Sequence, residues 1–291
     1  MRFNQYDDVR RFHAEVAPVL GRDEAQTSVP LGILAAAVAD GGTYGWRDPA
    51  GWLMATVADD DDTWLVALMT PPRNVLLYAS GRADEAVRVL VDGLRGAGIT
   101  VPGVTAEARL ARRFAEAYTA VSHQSATVAM SQRIYELTSV NPDVRAVGSL
   151  RAARPADLAF LPYWYEAFLL DCGLSDSATV SAEREAYDDI VSDGGTYVQE
   201  VDGMPVASAR KQAALARVCR VGYVYTPPYL RNHGYASACV AALSRLILDE
   251  GYGSCVLYTD LANPVSNSIY QRIGYRPYCD SLELRFEEPT P

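Results

Sequence analysis

Apolar and polar positions along the chain predict two successive rounds of strands and helices. Phe12, Val16, Val19 and Leu20 fall on one face of a helix expected over Tyr6–Leu20. Val29–Ala39 is apolar enough to be a buried helix, and Asp40-Gly41-Gly42 should stop it. Strand patterns follow at Trp52–Ala58 and Thr63–Met69, joined by the acidic turn Asp59–Asp62, and again at Val75–Ala79. Ala83–Gly96 has amphipathic helical spacing and ends at glycine. Ile99–Val104 (short strand), Glu107–Thr119 (helix) and Gln124–Leu137 (long strand) complete a first α/β unit.

Thr138–Gly148, with Asn141-Pro142-Asp143, reads as a linker, so the chain divides into domains over 1–140 and 145–291. Beyond it come a strand at Val147–Ala153 and a helix from Arg154-Pro155-Ala156-Asp157 to about Cys172. A helix at Ser181–Ser192 should end at Asp193-Gly194-Gly195. Thr196–Val201 and Pro205–Leu215 make a hairpin over Asp202-Gly203. Then come a strand ending at Tyr225, a helix to Glu250, a strand at Cys255–Thr259, a helix at Pro264–Ile273 and a final strand near Ser281–Phe286.

Composition narrows the picture. With 291 residues, 49% of them hydrophobic, the chain can bury a large core, and no apolar run is long enough to cross a bilayer. No export signal is legible at the N-terminus, so a cytoplasmic protein is expected. Five scattered cysteines read as free, mostly buried thiols, and the three isolated histidines give no metal site. The four aspartates Asp59–Asp62 lack the spacing of a calcium loop and read as a solvated turn. A net charge of −10, with Lys211 the only lysine, disfavours nucleic acid and suits a small cationic substrate.

The most informative stretch is Val221–Ser237, VGYVYTPPYLRNHGYAS. β-Forming residues lead to Pro227-Pro228, which cannot continue a ladder, and then to a loop with Gly234 and a helix behind it. Gly222 suggests a bulge or a close backbone approach. A helix start emerging from such a loop offers free N–H groups and the positive end of its dipole, and Arg231 adds a planar cation; together they suit a pyrophosphate. Arg231-Asn232-His233-Gly234-Tyr235-Ala236 resembles the R/Q-x-x-G-x-G/A motif of the GNAT N-acetyltransferases. A second block, Tyr258–Pro277, is similar to the family's next strand and helix through Asn263, Asn267, Tyr270, Gly274 and Tyr275.

The resemblance covers about residues 147–287. It implies a mixed, mostly antiparallel twisted sheet flanked by helices, with a central pair of splayed parallel strands. It also implies acetyl-CoA as cosubstrate, with no metal, and transfer of the acetyl group to the primary amine of a small molecule in a ternary complex. Val224 and Thr226 would hold the pantetheine arm, and Arg231, Asn232, His233, Gly234, Tyr235 and Ala236 the pyrophosphate. His233 would contribute only its backbone. Asn232, where many relatives have glycine, would make the cradle less open. Asn263 and Asn267 would line the cofactor groove, and Tyr270 would be the general acid, with Tyr275 and Tyr278 packing on the sheet. Glu200, Tyr223, Tyr225 and Asp260 remain open as the base. Met69-Thr70-Pro71-Pro72-Arg73 echoes Tyr225-Thr226-Pro227-Pro228 without the glycine loop, which suggests that the first half is a degenerate GNAT-like copy. A longer acyl-CoA, an aminoacyl-tRNA or a thiol-precursor amine are alternatives on the same fold, as is a CoA-binding scaffold. The protein would be a monomer or homodimer, without nucleic-acid or membrane partners.

Overall fold

A computed structural model describes residues 1–39, 49–60, 62–173 and 194–288, with only the main chain of 213 and 214. It forms two compact units. The first comprises Met1–Ile134, Thr259–Asn263 and Pro277–Pro291, the second Tyr135–Tyr258 and Pro264–Arg276. They are not the two contiguous stretches 1–140 and 145–291, because the far end of the chain goes with the first unit.

In the first unit the elements run β1 (Arg2–Tyr6), α1 (Val9–Leu20), α2 (Glu24–Ala39), β2 (Leu53–Ala58), β3 (Thr63–Met69), β4 (Val75–Ala79), α3 (Ala83–Gly96), β5 (Gly103–Glu107), α4 (Ala108–Ser122) and β6 (Ser125–Leu137), whose last three residues belong to the second unit. The sheet order is β1-β2-β3-β4-β5, followed by β12 (Arg276–Glu287) from the end of the chain. All neighbours are antiparallel except β4 and β5, which are parallel at Val75↔Val104 and Leu76↔Thr105. Leu90 and Leu94 of α3 and Leu110 and Phe114 of α4 bury against the sheet, joined by Leu282, Leu284 and Phe286 of β12. β12 approaches closely: a Cβ on Gly103 would lie 2.2 Å from Leu284 O.

Three expectations shift here. The helix expected from Tyr6 begins at Val9, because Asp8 caps it by accepting from Arg11 N at 2.7 Å, and Arg2–Tyr6 is instead a strand. The second helix begins earlier, at Glu24. The strand expected at Ile99–Val104 starts at Gly103, past Pro102, and Glu107 caps α4 through Arg109 N (3.0 Å) and Leu110 N (3.1 Å). Asp40-Gly41-Gly42 and Asp61 of the acidic turn lie outside the described residues.

The second unit contains β7 (Ser149–Ala152), α5 (Leu161–Asp171), β8 (Thr196–Val201), β9 (Met204–Ala214), β10 (Val218–Tyr225), α6 (Tyr235–Asp249), β11 (Ser254–Asp260) through Tyr258, and α7 (Pro264–Ile273). The sheet order is β11-β10-β9-β8-β7, antiparallel except for the parallel pair β10 and β11. Cys239, Val240, Leu243 and Ile247 of α6 pack on this sheet with Tyr270 and Ile273 of α7. The helix expected from Arg154 is broken: Pro155–Ala159 is a 3-10 turn, and α5 begins only at Leu161. The helix expected at Ser181–Ser192, with Asp193, lies outside the described residues.

Burial pushes the Cys219 thiol up to about 11 and those of Cys239 and Cys255 to about 12, as inert core thiols should behave. Cys172 is exposed, against the expectation of burial. No helix of the described residues is long and apolar enough to cross a membrane.

Candidate active site

β10 and β11 pair over Val218↔Ser254, Cys219↔Cys255 and Arg220↔Val256, and no further. Past Arg220 the ladder between them stops among the described residues, so the strands part along Gly222–Tyr225. The bend has a local cause. On the other side of β10 the register to β9 slips between Gly222 and Tyr225, where two residues oppose one, and Tyr223 sits at φ +49°. This is a β-bulge, which turns a strand and interrupts its ladder. Gly222 stands beside it, and a Cβ there would lie 2.2 Å from Gln212 Oε1, the end of a side chain that can move aside.

Pro227 ends the strand, and the chain enters the exposed loop Arg231–Gly234. Asn232 (φ +67°) and Gly234 (φ +80°) both adopt the left-handed conformation, which asparagine tolerates and glycine adopts freely. Asn232 therefore fits this turn without a glycine. Gly234 occupies the N-cap of α6, where no side chain caps the helix, and nothing stands within 4 Å of its missing Cβ. Ala238 N is the first to reach an intrahelical carbonyl, that of Gly234 at 3.0 Å, so the N–H groups of Tyr235, Ala236 and Ser237 have no carbonyl within the helix. No acidic residue stands in the first turn of α6. An anion would meet the helix dipole with open space before it.

Arg231 is tied down. Its Nε donates to Thr226 O at 3.0 Å, its Nη2 pairs with Asp171 Oδ2 at 2.5 Å, and its guanidinium lies 5.9 Å from the centre of the Tyr225 ring. The side chains of Arg231 and Asp171 are 44% and 50% exposed, so the pair holds by about 1 kcal/mol or less and yields readily to a stronger anion. His233 Nδ1 donates to Arg231 O at 2.8 Å and its ring stacks on Tyr235, so the side chain braces the loop. The Thr226 hydroxyl is buried without a hydrogen-bond partner among the described residues.

Tyr270 is buried in the core of the second unit, its ring 6.5 Å from Tyr135 and 6.0 Å from Tyr275. Val224 and Tyr235 pack against the same cluster. Burial pushes the Tyr270 hydroxyl well above the ordinary phenol value, and Cys172 adds to the rise. Its hydroxyl is therefore harder to ionise than the ordinary phenol expected from sequence. Asn267 Oδ1 accepts from Tyr135 Oη at 3.0 Å, and Tyr135 Oη in turn accepts from Gln271 Nε2 at 3.0 Å. Asn267 thus anchors the helix that carries Tyr270. Asn263 belongs to the segment counted with the first unit, where its N–H donates to Asp260 O at 3.1 Å.

Tyr275 is a packing residue, its hydroxyl 2.8 Å from Ser244 Oγ. Tyr278 is not: it is exposed and donates to Asp23 Oδ1 at 2.8 Å. Among the candidate bases, Glu200 is taken up by Arg151, which also grips Asp157. Asp260 Oδ1 accepts from Ala262 N at 2.8 Å. Tyr223 and Tyr225 do face a groove, opposite Trp164, Tyr165 and Phe168 of α5. Sequence reasoning missed this aromatic wall, because α5 is apolar around most of its circumference and shows no distinct stripe.

The geometry can be set beside known proteins. Residues 211–283 match the family model described as FR47-like protein. No curated protein matches the chain. A GCN5-related N-acetyltransferase from Sphaerobacter thermophilus is 17% identical, with a TM-score of 0.63 over 100% of this chain and 97% of that one. A GNAT-family acetyltransferase from Colwellia psychrerythraea is 11% identical, with a TM-score of 0.60 over 99% of each chain. A Drosophila protein is 12% identical, with a TM-score of 0.65 over 99% of each chain. With its parted strands and open helix start, the chain has the fold of the GNAT acetyltransferases and carries an FR47-like segment at residues 211–283.

Proposed function

We propose that the protein is an acyl-CoA-dependent N-acyltransferase, acetyl-CoA being the donor and a small primary amine the acceptor. The observation that carries this reading is the parting of β10 from β11 directly beside a helix start without a cap. Acetyl-CoA would supply an acyl group activated as a thioester. The N–H groups at the start of α6 and the Arg231 side chain would hold its diphosphate. The edge of β10 that parts from β11, at Val224, would hold the pantetheine arm as an added strand. Thr226, its hydroxyl without a hydrogen-bond partner among the described residues, suits the same stretch.

Catalysis would rest on orientation. As the acceptor nitrogen forms its bond to the acyl carbon, the carbon–sulfur bond breaks. Tyr270 holds the proton that the departing sulfur takes, and the proton lost by nitrogen restores Tyr270 through water. The described residues of the first unit lack this equipment. The turn from β4 to α3 is only Ser80-Gly81-Arg82, Asp84 and Glu85 occupy the first turn of α3, and Arg82 is paired with Asp59 and Glu85. Carboxylates at a helix start repel a diphosphate, which supports a degenerate copy with no donor site.

Calorimetric titration with acetyl-CoA should give one site per chain. Arg231→Ala should weaken it, and so should Gly234→Val, by about 10-fold or more, since a β-branched residue is strained at φ +80°. Two sites would assign donor binding to the first unit as well, and no binding would overturn the proposed reaction.

A further inference from the structure

Between Thr226 and Ser244 the sequence holds one arginine, Arg231, and no lysine or carboxylate. Arg231 is therefore the one fixed charge that the loop and the first half of α6 offer an anion. That charge is already engaged. Asp171 Oδ2 stands 2.5 Å from Arg231 Nη2, across 60 residues of chain. The carboxylate is presented by a docked helix. The Tyr165 and Phe168 rings of α5 lie 4.8 Å and 5.3 Å from the Tyr223 ring of β10, and Tyr165 Oη donates to Tyr223 Oη at 3.2 Å. Asp171 follows Phe168 by three residues, close to one helical turn, and so shares its side of α5.

Helix stability does not account for a carboxylate at this position. Asp171 is the last residue of α5, and no basic residue stands in that turn, so its charge faces the negative end of the helix dipole. The pair with Arg231 offsets that placement. A guanidinium grips an anion with two prongs along its Nε/Nη2 edge or its Nη1/Nη2 edge, and both edges use Nη2. Here Nε donates to Thr226 O at 3.0 Å and Nη2 to Asp171. A diphosphate that takes either edge therefore meets the carboxylate on the same nitrogen, and two anions so close repel. Both partners of the pair are about half exposed, so it opens at a cost of about 1 kcal/mol or less.

We propose that Asp171 competes with the donor's diphosphate for Arg231, and so loosens acetyl-CoA and the product CoA alike. The inference rests on the acyl-transfer reading and adds to it a residue that sets how fast the spent cofactor leaves, a step that limits turnover in many enzymes. Calorimetric titration with CoA should compare the parent protein, Asp171→Asn, Arg231→Ala and the double variant. Asp171→Asn should lower Kd by about threefold to fivefold, the equivalent of one exposed pair, and slow CoA dissociation in stopped flow by the same factor. In the Arg231→Ala background the same change should leave Kd within about 1.5-fold, because the group competed for is gone. An unchanged or raised Kd in Asp171→Asn would overturn the proposal, a raised one showing that the carboxylate steadies Arg231 for the donor. An equal fall in both backgrounds would overturn it too, since Asp171 would then repel the diphosphate without any part played by Arg231. If neither CoA nor acetyl-CoA binds the parent protein, the acyl-transfer reading fails by itself. Inorganic pyrophosphate then decides the competition: tighter binding in Asp171→Asn only where Arg231 is present keeps it, and any other result, no binding included, removes it.

Discussion

Replacing Tyr270 by phenylalanine should reduce kcat by about 100-fold or more, the usual worth of a positioned acid. The same change should leave the Kd for acetyl-CoA within about threefold, because no group assigned to the diphosphate is touched. Stability should hardly change: the ring packs with Tyr135 and Tyr275, the phenylalanine ring fills the same space, and the Tyr270 hydroxyl has no hydrogen-bond partner among the described residues. The pH dependence follows from burial. Because the hydroxyl is raised above its ordinary value, Tyr270 keeps its proton through about pH 10, and no alkaline loss of turnover below that should come from its ionisation. Single-turnover measurements on both proteins across the alkaline range test this. Equal turnover in Tyr270→Phe would reduce Tyr270 to a core ring and leave departing sulfur to be protonated by water.

Asp157→Asn should cost about 3 kcal/mol at neutral pH, the penalty for removing one partner from a buried ion pair. Arg151 donates to Asp157 from both Nη1 (2.6 Å) and Nη2 (2.9 Å), while the Arg154 N–H reaches the same carboxylate at 2.7 Å. The Asp157 side chain is only 6% exposed. Burial alone would raise this carboxyl; the guanidinium and the N–H outweigh it and hold it below the ordinary range. A carboxyl lowered in the folded state contributes stability above its unfolded value near about 4, and that contribution is lost as the pH falls through the folded value. Urea unfolding should therefore show the cost of Asp157→Asn at neutral pH and a shrinking difference from the parent protein in acid. A cost that stays constant into acid would mean that shape, not charge, holds the cluster. The exposed Arg231–Asp171 pair makes a useful contrast, since neutralising Asp171 should change stability by less than about 1 kcal/mol.

How much of this was legible beforehand depended on whether the signal was local. β3, β4, α3 and α7 fall where period, turns and caps put them, because each carries its own start and stop. The loop Arg231–Gly234 was legible through Gly234, which marks a positive φ in sequence, whereas Asn232 read only as a departure from glycine until its φ of +67° was seen. β1 was missed because Arg2, Asn4 and Gln5 are exposed on it, and only its partner β2 makes it a strand. Glu200 looked as free as any carboxylate on a strand until Arg151, from a neighbouring strand, took it. Tyr278 looked like Tyr275, and only the distant Asp23 distinguishes them. The aromatic groove belongs with these, since three of its rings come from a helix and two from a strand about sixty residues later. Pairings across such separations leave no periodicity to read.

The place of β12 has a consequence for how the protein is made. The Ser281 hydroxyl reaches Ala106 O across 175 residues of chain, and β12 is the strand that covers β5 in the first unit. At about 5–20 residues per second, a ribosome that has just finished β5 needs roughly 10–35 s more to deliver its partner. During that interval the nascent first half holds an open strand edge with unpaired N–H and C=O groups, and its core lacks Leu282, Leu284 and Phe286. Strands β5 and β12, far apart in the chain, must both be present before the first unit is complete. Synthesis that stops short of Pro277 would release a product whose defect lies far from the missing residues, at the open edge of β5, so chaperone occupancy should be greatest on the first unit.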